Sequence, residues 1–548
     1  MLFSPSKLRN YATGNTLIDW LELFGKQFGW QKQFKSHRAL GAVQTGDQFE
    51  QLCYNYFLRH LGKRAMEPYV TGKTKVDRTI HLMQKGSPVI YQAHLRSKRD
   101  QTSGIADFLV RSDYVNRFFT EYEYSETHLG SQLSKKWHYV VMDSKCMRLQ
   151  LGADGYHLSG RGEMNKAAKL QLYIYNRAIS EIQGYEPRVG MVLGAGYRYQ
   201  HQQQKQITRH SSDQVFARPG LVEFGQRDLY LAEQFRQGCA WLERLHSKNA
   251  QEWQVLPEAS QPELRANAKL ARSVSNYVWW PAVQAIAQAQ DDLTRLVHIE
   301  PVHRDIAHLA GVKRTRDLCQ QTDQELEQCL DLMGFEPKSK EARQISLVVR
   351  QNRTGAAIGA AISPTQVMEC TAMFVDIGWI RHGELELGLS NHSAQAELSD
   401  LTYLVSYQIG LDQAPVSLVA PSLDKAGQKV LGQRLADLPS STKQLVCWGA
   451  KNRAKLLELY QIAGLESLPI LDFKAYCQER GWLASGMLDY TLPGLAQALN
   501  IKYRHSPEYY QDLAQSLLYS PNKLKAVIDY SQTNCQVMAA WRRRCLLS

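Results

Sequence analysis

Apolar and polar positions change period several times along the chain, and each change predicts an element. TGDQFEQLCYNYFLRHL at 45–61 places apolar residues three and four apart, which predicts an amphipathic helix with Glu50 in its early turns. PVIYQAHL at 88–95, GIADFLVR at 104–111 and WHYVVMDSK at 137–145 are short apolar runs that predict three strands. KAAKLQLYIYNRAISEI at 166–182 returns to the helical period, and RVGMVLGAGYRY at 188–199 is a further apolar segment. The glutamine-rich stretch YQHQQQKQITRHSSD that follows it predicts a loop. From about 220 to 345 the pattern is helical almost throughout, as in RDLYLAEQFRQGCAWLERLH and ARSVSNYVWWPAVQAIAQAQDDLTRLV. SPTQV at 363–367 marks a boundary, after which MECTAMFVDIGWI restarts as a strand and opens an α/β pattern. No repeat of solenoid period is present.

The embedded charges of the first stretch change the picture most. Asp107 stands among Ile105, Phe108 and Leu109, while Asp143 and Lys145 end the third strand two residues apart, on one face. Ionised groups in such apolar runs are costly to bury unless paired or bound to metal. Mg²⁺ and Mn²⁺ take hard oxygen ligands and leave positions open for phosphate oxygens. Two Asp with a nearby ammonium meet the needs of phosphodiester hydrolysis, namely an activated water and charge neutralisation. By spacing alone, a surface ion pair between Asp143 and Lys145 is an equal reading. Gln171 and Tyr175, four apart, share one face of their helix.

Composition narrows the class. With 548 residues the chain is too long for one core, and about three domains are expected. The formal charge of +12 favours polyanionic partners, and its basic residues fall in short clusters: KQFGWQKQFKSHR at 26–38, HLRSKRD at 94–100 and WRRR at 541–544. No apolar run approaches the roughly 20 residues of a membrane span, and MLFSPSKLRNYATGNT lacks the features of a signal peptide. A cytoplasmic protein without a membrane partner is therefore expected. The ten cysteines include no CxxC pair, which argues for thiols and against a zinc ribbon. TGKT at 71–74 ends like a phosphate-binding loop, but Glu67 stands where the earlier glycine is required.

Taken in order, Glu50, GIAD at 104–107, DSK at 143–145, then Gln171 and Tyr175 as Q-x-x-x-Y resemble the RecB-like branch of PD-(D/E)XK nucleases. That branch includes the CRISPR-associated RecB-like exonucleases. A closer likeness is to a predicted bacterial nuclease family that joins such a domain to a helical connector and a C-terminal RNase H-like domain. QGYEPRVGMVLG at 183–194 and PELRAN at 262–267 share in it, and the likeness covers most of the chain. The resemblance implies an α/β chain with three parts: a restriction-endonuclease-like nuclease domain at 1–220, a helical connector at 221–362, and a degenerate RNase H-like domain at 363–548. It implies Glu50, Asp107 and Asp143 as ligands of Mg or Mn or their supports, and Lys145 acting on the attacking water or the phosphate. Gln171 and Tyr175 would brace the site and touch the nucleic-acid strand, with DNA the expected substrate.

The chain departs from the family in two places. Relatives often place a metal-binding His in the first motif, whereas His37 lies well before Glu50. Relatives often hold an iron–sulfur cluster, but LRNYATGN and SVSNYVWWPAVQAI lack its cysteines. Further on, HLAGVKRTRDL at 308–318 looks like a helix-hairpin-helix turn, whose Lys313 and Arg314 would meet phosphate; a plain helical spacer is the other reading. The C-terminal part resembles DEDD-type exonucleases with their acids lost. FVDIGW at 374–379 keeps Asp376 but has Gly378 for Glu, LVCWGAKNRAKLLEL lacks its acid around Lys451, and YSQTN ends in Asn534 for Asp; Asp472 remains. A two-metal site needs those carboxylates, so this part is expected to be an inert module that binds a strand or a protein partner. Alongside the active-nuclease reading stands a non-catalytic nucleic-acid-binding or scaffold protein built from two relic folds. Protein purified without oxygen is expected to contain neither iron nor acid-labile sulfide; stoichiometric amounts of both would refute the loss of the cluster.

Overall fold

The computed structural model describes residues 2–32, 37–61, 75–133, 137–160, 162–201, 205–209, 216–247, 252–270, 276, 278–354, 372–385, 396–422, 424–437, 442, 444–480, 487, 490–504 and 524–547. The TGKT segment and the SPTQV boundary lie outside them, as does the side chain of His37.

The chain is α/β. Its first part opens with α1 (Pro5–Thr13) and α2 (Leu17–Phe24), followed by α3 (His37–Leu61) and α4 (Lys75–Lys85). Then come β1 (Val89–Ser97), β2 (Thr102–Arg111), β3 (Tyr139–Lys145), β4 (Leu149–Gln150), α5 (Glu163–Gln183), β5 (Val189–Gly194), β6 (Tyr197–His201), β7 (Lys205–Arg209) and β8 (Gly220–Glu223). The main sheet has the order β1-β2-β3-β5-β8. The β1–β2, β2–β3 and β5–β8 pairs are antiparallel, whereas β3 and β5 run parallel and are joined through α5. A parallel pair requires such a crossover, and the apolar face of α5 supplies it.

The three strands and two helices read from the pattern are present. Helix α3 begins at His37, eight residues before its expected start, so Glu50 stands near its middle and not in its early turns. The other four lie within a few residues of their expected bounds. The glutamine-rich stretch is not simply a loop. Tyr197–His201 and Lys205–Arg209 pair as an antiparallel hairpin that extends β4 in a small sheet of order β4-β6-β7. In β6, Tyr197 and Tyr199 are buried in the main core while Arg198 and Gln200 are exposed, so the strand alternates although its polar neighbours suggest a loop.

Alternate residues of β3 divide between two cores. Tyr139 and Val141 pack with α5, while Val140 and Met142 pack with Phe49, Cys53 and Phe57 of α3. The next odd position, Asp143, therefore falls on the α5 side. The long helical stretch is also shared out. Helices α6 (Tyr230–Leu245) and α7 (Trp280–Gln290) contribute Trp241, Val283 and Ile286 to the core that contains α1, α2 and α5. Helices α8 (Pro301–Leu309), α9 (Thr315–Gln320), α10 (Asp323–Leu332) and α11 (Lys340–Thr354) share apolar contacts with the C-terminal part.

That part has β9 (Ala372–Leu385), β10 (Ala396–Ile409), β11 (Val416–Val419), α12 (Lys425–Ala436), β12 (Gln444–Cys447), α13 (Ala450–Ala463), β13 (Ile470–Asp472), α14 (Phe473–Arg480), α15 (Leu492–Ala498) and α16 (Leu524–Leu547). Its sheet has the order β11-β10-β9-β12-β13, with an antiparallel meander on one side of β9 and parallel strands on the other. Among the described residues no helix is long and apolar enough to cross a membrane.

One buried ion pair ties α5 to the entry of α6. Lys169 Nζ donates to Asp228 Oδ1 at 2.7 Å, and Asp228 Oδ2 accepts from the Glu223 amide at 2.9 Å. Both side chains are buried, so removing one leaves the other without its counter-charge. Lys169→Ala is expected to destabilise the protein by about 3–5 kcal/mol. Asp228→Asn, added to Lys169→Met, should recover part of that in a urea titration.

Candidate active site

Five elements converge at the end of β3. Asp143 is fully buried there, and Lys145, two residues on, is 25% exposed at the edge. The Lys145 ammonium lies against Asp143 Oδ2 as an ion pair. Beyond that ammonium, no donor meets Oδ2 among the described residues. The second oxygen, Oδ1, accepts from Gln171 Nε2 at 3.1 Å, and the same nitrogen stands 3.3 Å from the Tyr175 hydroxyl. One turn of α5 brings Gln171 and Tyr175 to the same face, so the amide links the carboxylate to the phenol.

Asp107 reaches the site from β2. Its Oδ2 accepts both from the Ser144 amide and from the Ser144 hydroxyl, each at 2.7 Å. Ser144 is the middle residue of DSK and points away from its neighbours, so it fixes one Asp while its neighbours supply the other Asp and the Lys. The carboxyls of Asp107 and Asp143 are within hydrogen-bonding reach of each other. Glu50 comes from α3, close enough to Asp107 for the two to repel, and it accepts a hydrogen bond from Gln92 Nε2.

Gly104, the first residue of GIAD, is required by this packing. A Cβ there would stand 2.6 Å from Cε1 of Tyr175 and 3.3 Å from its oxygen. Pattern reading flagged the motif but missed the reason. It also missed Ser144, whose role could have been read from its place inside DSK, and Tyr91 and Gln92, for which the sequence carries no signal.

The electrostatics follow from crowding. Burial pushes the Asp143 carboxyl up to about 7, against the pull of Lys145, and repulsion from Asp107 adds to it. Burial and then Asp107 raise Glu50. Burial acts to lower the Lys145 ammonium, but Asp143, Asp107 and Glu50 outweigh it and hold the group above its usual value. Three carboxyls thus face one ammonium.

This donor set fits a hard divalent cation. All three groups offer oxygen, Asp143 Oδ2 meets only the Lys145 ammonium among the described residues, and the raised carboxyls would be relieved by added positive charge. Among the described residues no three His, Cys, Asp or Glu stand close enough together to hold a metal ion by themselves, so water and phosphate oxygens would have to complete its shell.

Lys313 and Arg314 lie elsewhere, in the turn between α8 and α9. Both side chains face Glu258, Lys313 at 2.9 Å and Arg314 at 3.5 Å. Their backbone amides donate to Asp317 Oδ2 at 3.1 and 2.9 Å. The amides that a phosphate would use are therefore already engaged.

In the C-terminal sheet, Asp376 is buried and held by neutral groups. Its Oδ2 accepts from Ser531 Oγ at 2.8 Å and Asn534 Nδ2 at 3.1 Å, and its Oδ1 from Asn452 Nδ2 at 3.4 Å. Burial raises its carboxyl to about 6 while these donors hold it down. Asp472 serves its own helix start, accepting at Oδ1 from the Gly449 and Ala475 amides at 2.9 and 3.1 Å. A Cβ on Gly378 would meet Leu404 Cβ at 2.9 Å and the Tyr403 hydroxyl at 3.1 Å.

No protein-family model matches the chain, and no curated protein matches it.

The Asp143 shift has a defined sign. An unfolded Asp ionises near 3.8 and the folded one near 7, so between these values the folded state holds more protons. Stability from this group is present below 3.8 and is lost as pH rises towards 7. The stability of the parent relative to Asp143→Asn is expected to fall from pH 5 to pH 8, by on the order of 2–4 kcal/mol. Thermal denaturation across that range measures it, and a pH-independent difference would contradict the assignment.

Proposed function

We propose that the chain is a divalent-metal-dependent nuclease of the RecB-like PD-(D/E)XK type, acting on DNA, with an inert RNase H-like domain behind it. The observation that carries this reading is the contact of Asp107 and Asp143, from adjacent strands, with Lys145 at the rim. The order of α3, β1, β2, β3, α5 and β5, with β3 and β5 parallel, supports the restriction-endonuclease-like fold. The order β11-β10-β9-β12-β13 supports the RNase H-like one.

Asp107 and Asp143 would hold Mg²⁺ or Mn²⁺, with Glu50 in support. Such an ion supplies positive charge to the phosphate and lowers the pKa of water. Lys145 would orient that water for in-line attack or neutralise charge on the non-bridging phosphate oxygens. The new P–O bond forms as the bond to the leaving oxygen breaks; the attacking water gives up a proton to solvent, and the leaving oxygen takes one from solvent. Gln171 fixes the Asp143 carboxylate, Ser144 fixes that of Asp107, and Tyr175 packs against Gly104 of β2. A carboxylate displaced by about 1 Å costs on the order of a hundredfold in rate, which is why such bracing is needed.

In the second domain neutral donors saturate Asp376, so a hydrolytic metal pair has no carboxylate set to bind. The proposed remaining use of that domain is to hold a strand or a protein partner.

Labelled single- and double-stranded DNA, incubated with the protein with and without Mn²⁺, tests the reading. Asp143→Ala and Lys145→Ala are each expected to reduce cleavage by about a thousandfold or more, with DNA affinity within a few-fold of the parent. Asp376→Ala should leave cleavage unchanged. If both site variants cleave as fast as the parent, the site is wrongly assigned. Binding without metal-dependent cleavage by the parent would favour the scaffold reading.

A further inference from the structure

Two consecutive residues of β1 reach one carboxylate. Gln92 Nε2 donates to Glu50 Oε1, and the Tyr91 hydroxyl also hydrogen-bonds Glu50. A regular strand forbids this, because neighbouring side chains leave on opposite faces. The exception is made by the Gln92 backbone, whose φ of 51° is left-handed.

The packing on either side records the switch. Val89 and Tyr91 lie with Phe108 on the α3 side of the sheet, whereas Ala93 and Leu95 lie on the α5 side. Strand β2 switches at the same level. Ala106 packs on the α5 side, whereas Phe108 and Val110 pack on the α3 side. The register pairs Tyr91 with Phe108 and Ala93 with Ala106, so the residue opposite Gln92 is Asp107. Gln92 is exposed, so burial of its own side chain does not account for the conformation. A left-handed glutamine is strained, since its Cβ crowds the following carbonyl oxygen. Strain of this kind persists where the surroundings over-determine it, and such places cluster at functional sites.

We propose that Gln92 is a positioning residue of the site. Its left-handed backbone turns the Tyr91 hydroxyl and its own amide onto Glu50, and together they hold that carboxylate beside Asp107. Tyr91 is itself fixed by ring contacts to Tyr54 at 4.7 Å and Phe108 at 5.4 Å, so the grip is anchored on both α3 and β2. This inference rests on the nuclease reading, since it assigns Glu50 to that site.

Three variants separate the amide from the backbone. Gln92→Gly keeps the left-handed conformation without strain and removes the amide. Gln92→Asn tolerates the conformation and keeps a shorter amide, while Gln92→Val is forced towards an ordinary strand. Gln92→Gly is expected to melt no lower than the parent. Its kcat should fall about tenfold or more with KM for DNA within about twofold, and it should need more Mn²⁺ for half-maximal rate. Gln92→Asn should recover part of the loss, and Gln92→Val should recover none. A parent that cleaves, with a Gln92→Gly variant equal to it in kcat and Mn²⁺ requirement, overturns the inference and leaves the nuclease reading standing. A parent inert with Mn²⁺ on both single and double strands overturns the nuclease reading, and this inference with it.

Discussion

Negative charge confined in a small, partly dry space is the constraint around which the first half of the chain is arranged. Asp143 is fully buried, Asp107 is within hydrogen-bonding reach, Glu50 repels Asp107, and Lys145 is the cation placed against them. Water would disperse that repulsion, but the apolar layers on either face of the sheet keep it away. Each surrounding feature can be understood as holding these charges in place. Gln171 secures one oxygen of Asp143, Ser144 secures one of Asp107, and the missing side chain of Gly104 lets Tyr175 close over both strands.

The second half meets the same problem in the opposite way. Asp376 is also buried in the middle of a sheet, yet Ser531, Asn534 and Asn452 surround it with hydrogen-bond donors. A carboxylate satisfied on both oxygens by neutral groups has little left to offer a cation, whereas Asp143 Oδ2 meets only the Lys145 ammonium among the described residues. Tyr503 extends the second network by donating to Asn534 at 2.6 Å, so the amide is itself oriented towards Asp376. Two sheets of similar size therefore hold buried acids, one left in tension and one fully accommodated.

Much of the first site was legible because period-two and period-four spacings survive folding intact. Asp143 and Lys145 share a face because strands alternate, and Gln171 and Tyr175 do so because helices turn. Glu50 was legible only in company, since an acid on an amphipathic helix is ordinary by itself. What could not be read is the place where alternation fails. Nothing in YQAHL announces a left-handed residue, because glycine and asparagine are the usual signals and glutamine is neither. The β6–β7 pair was hidden for another reason: the alternation of Tyr197 and Tyr199 is too short to stand out beside the glutamine-rich residues that follow it. The division of the helical stretch between two cores was equally hidden, because an apolar face does not name the surface it will meet.

Tyr403 gives the C-terminal sheet a one-way character. Its ring packs over Gly378, in the space that an acidic side chain at that position would need, and its hydroxyl is buried there without a hydrogen-bond partner among the described residues. Placing glutamate at 378 alone would drive it into Leu404 and Tyr403 before it could meet a metal. Shrinking Tyr403 alone would open a void with nothing to fill it. A larger side chain at 378 is therefore accommodated only together with a smaller one at 403, either change alone is worse than both, and the order of substitutions matters as much as their identity.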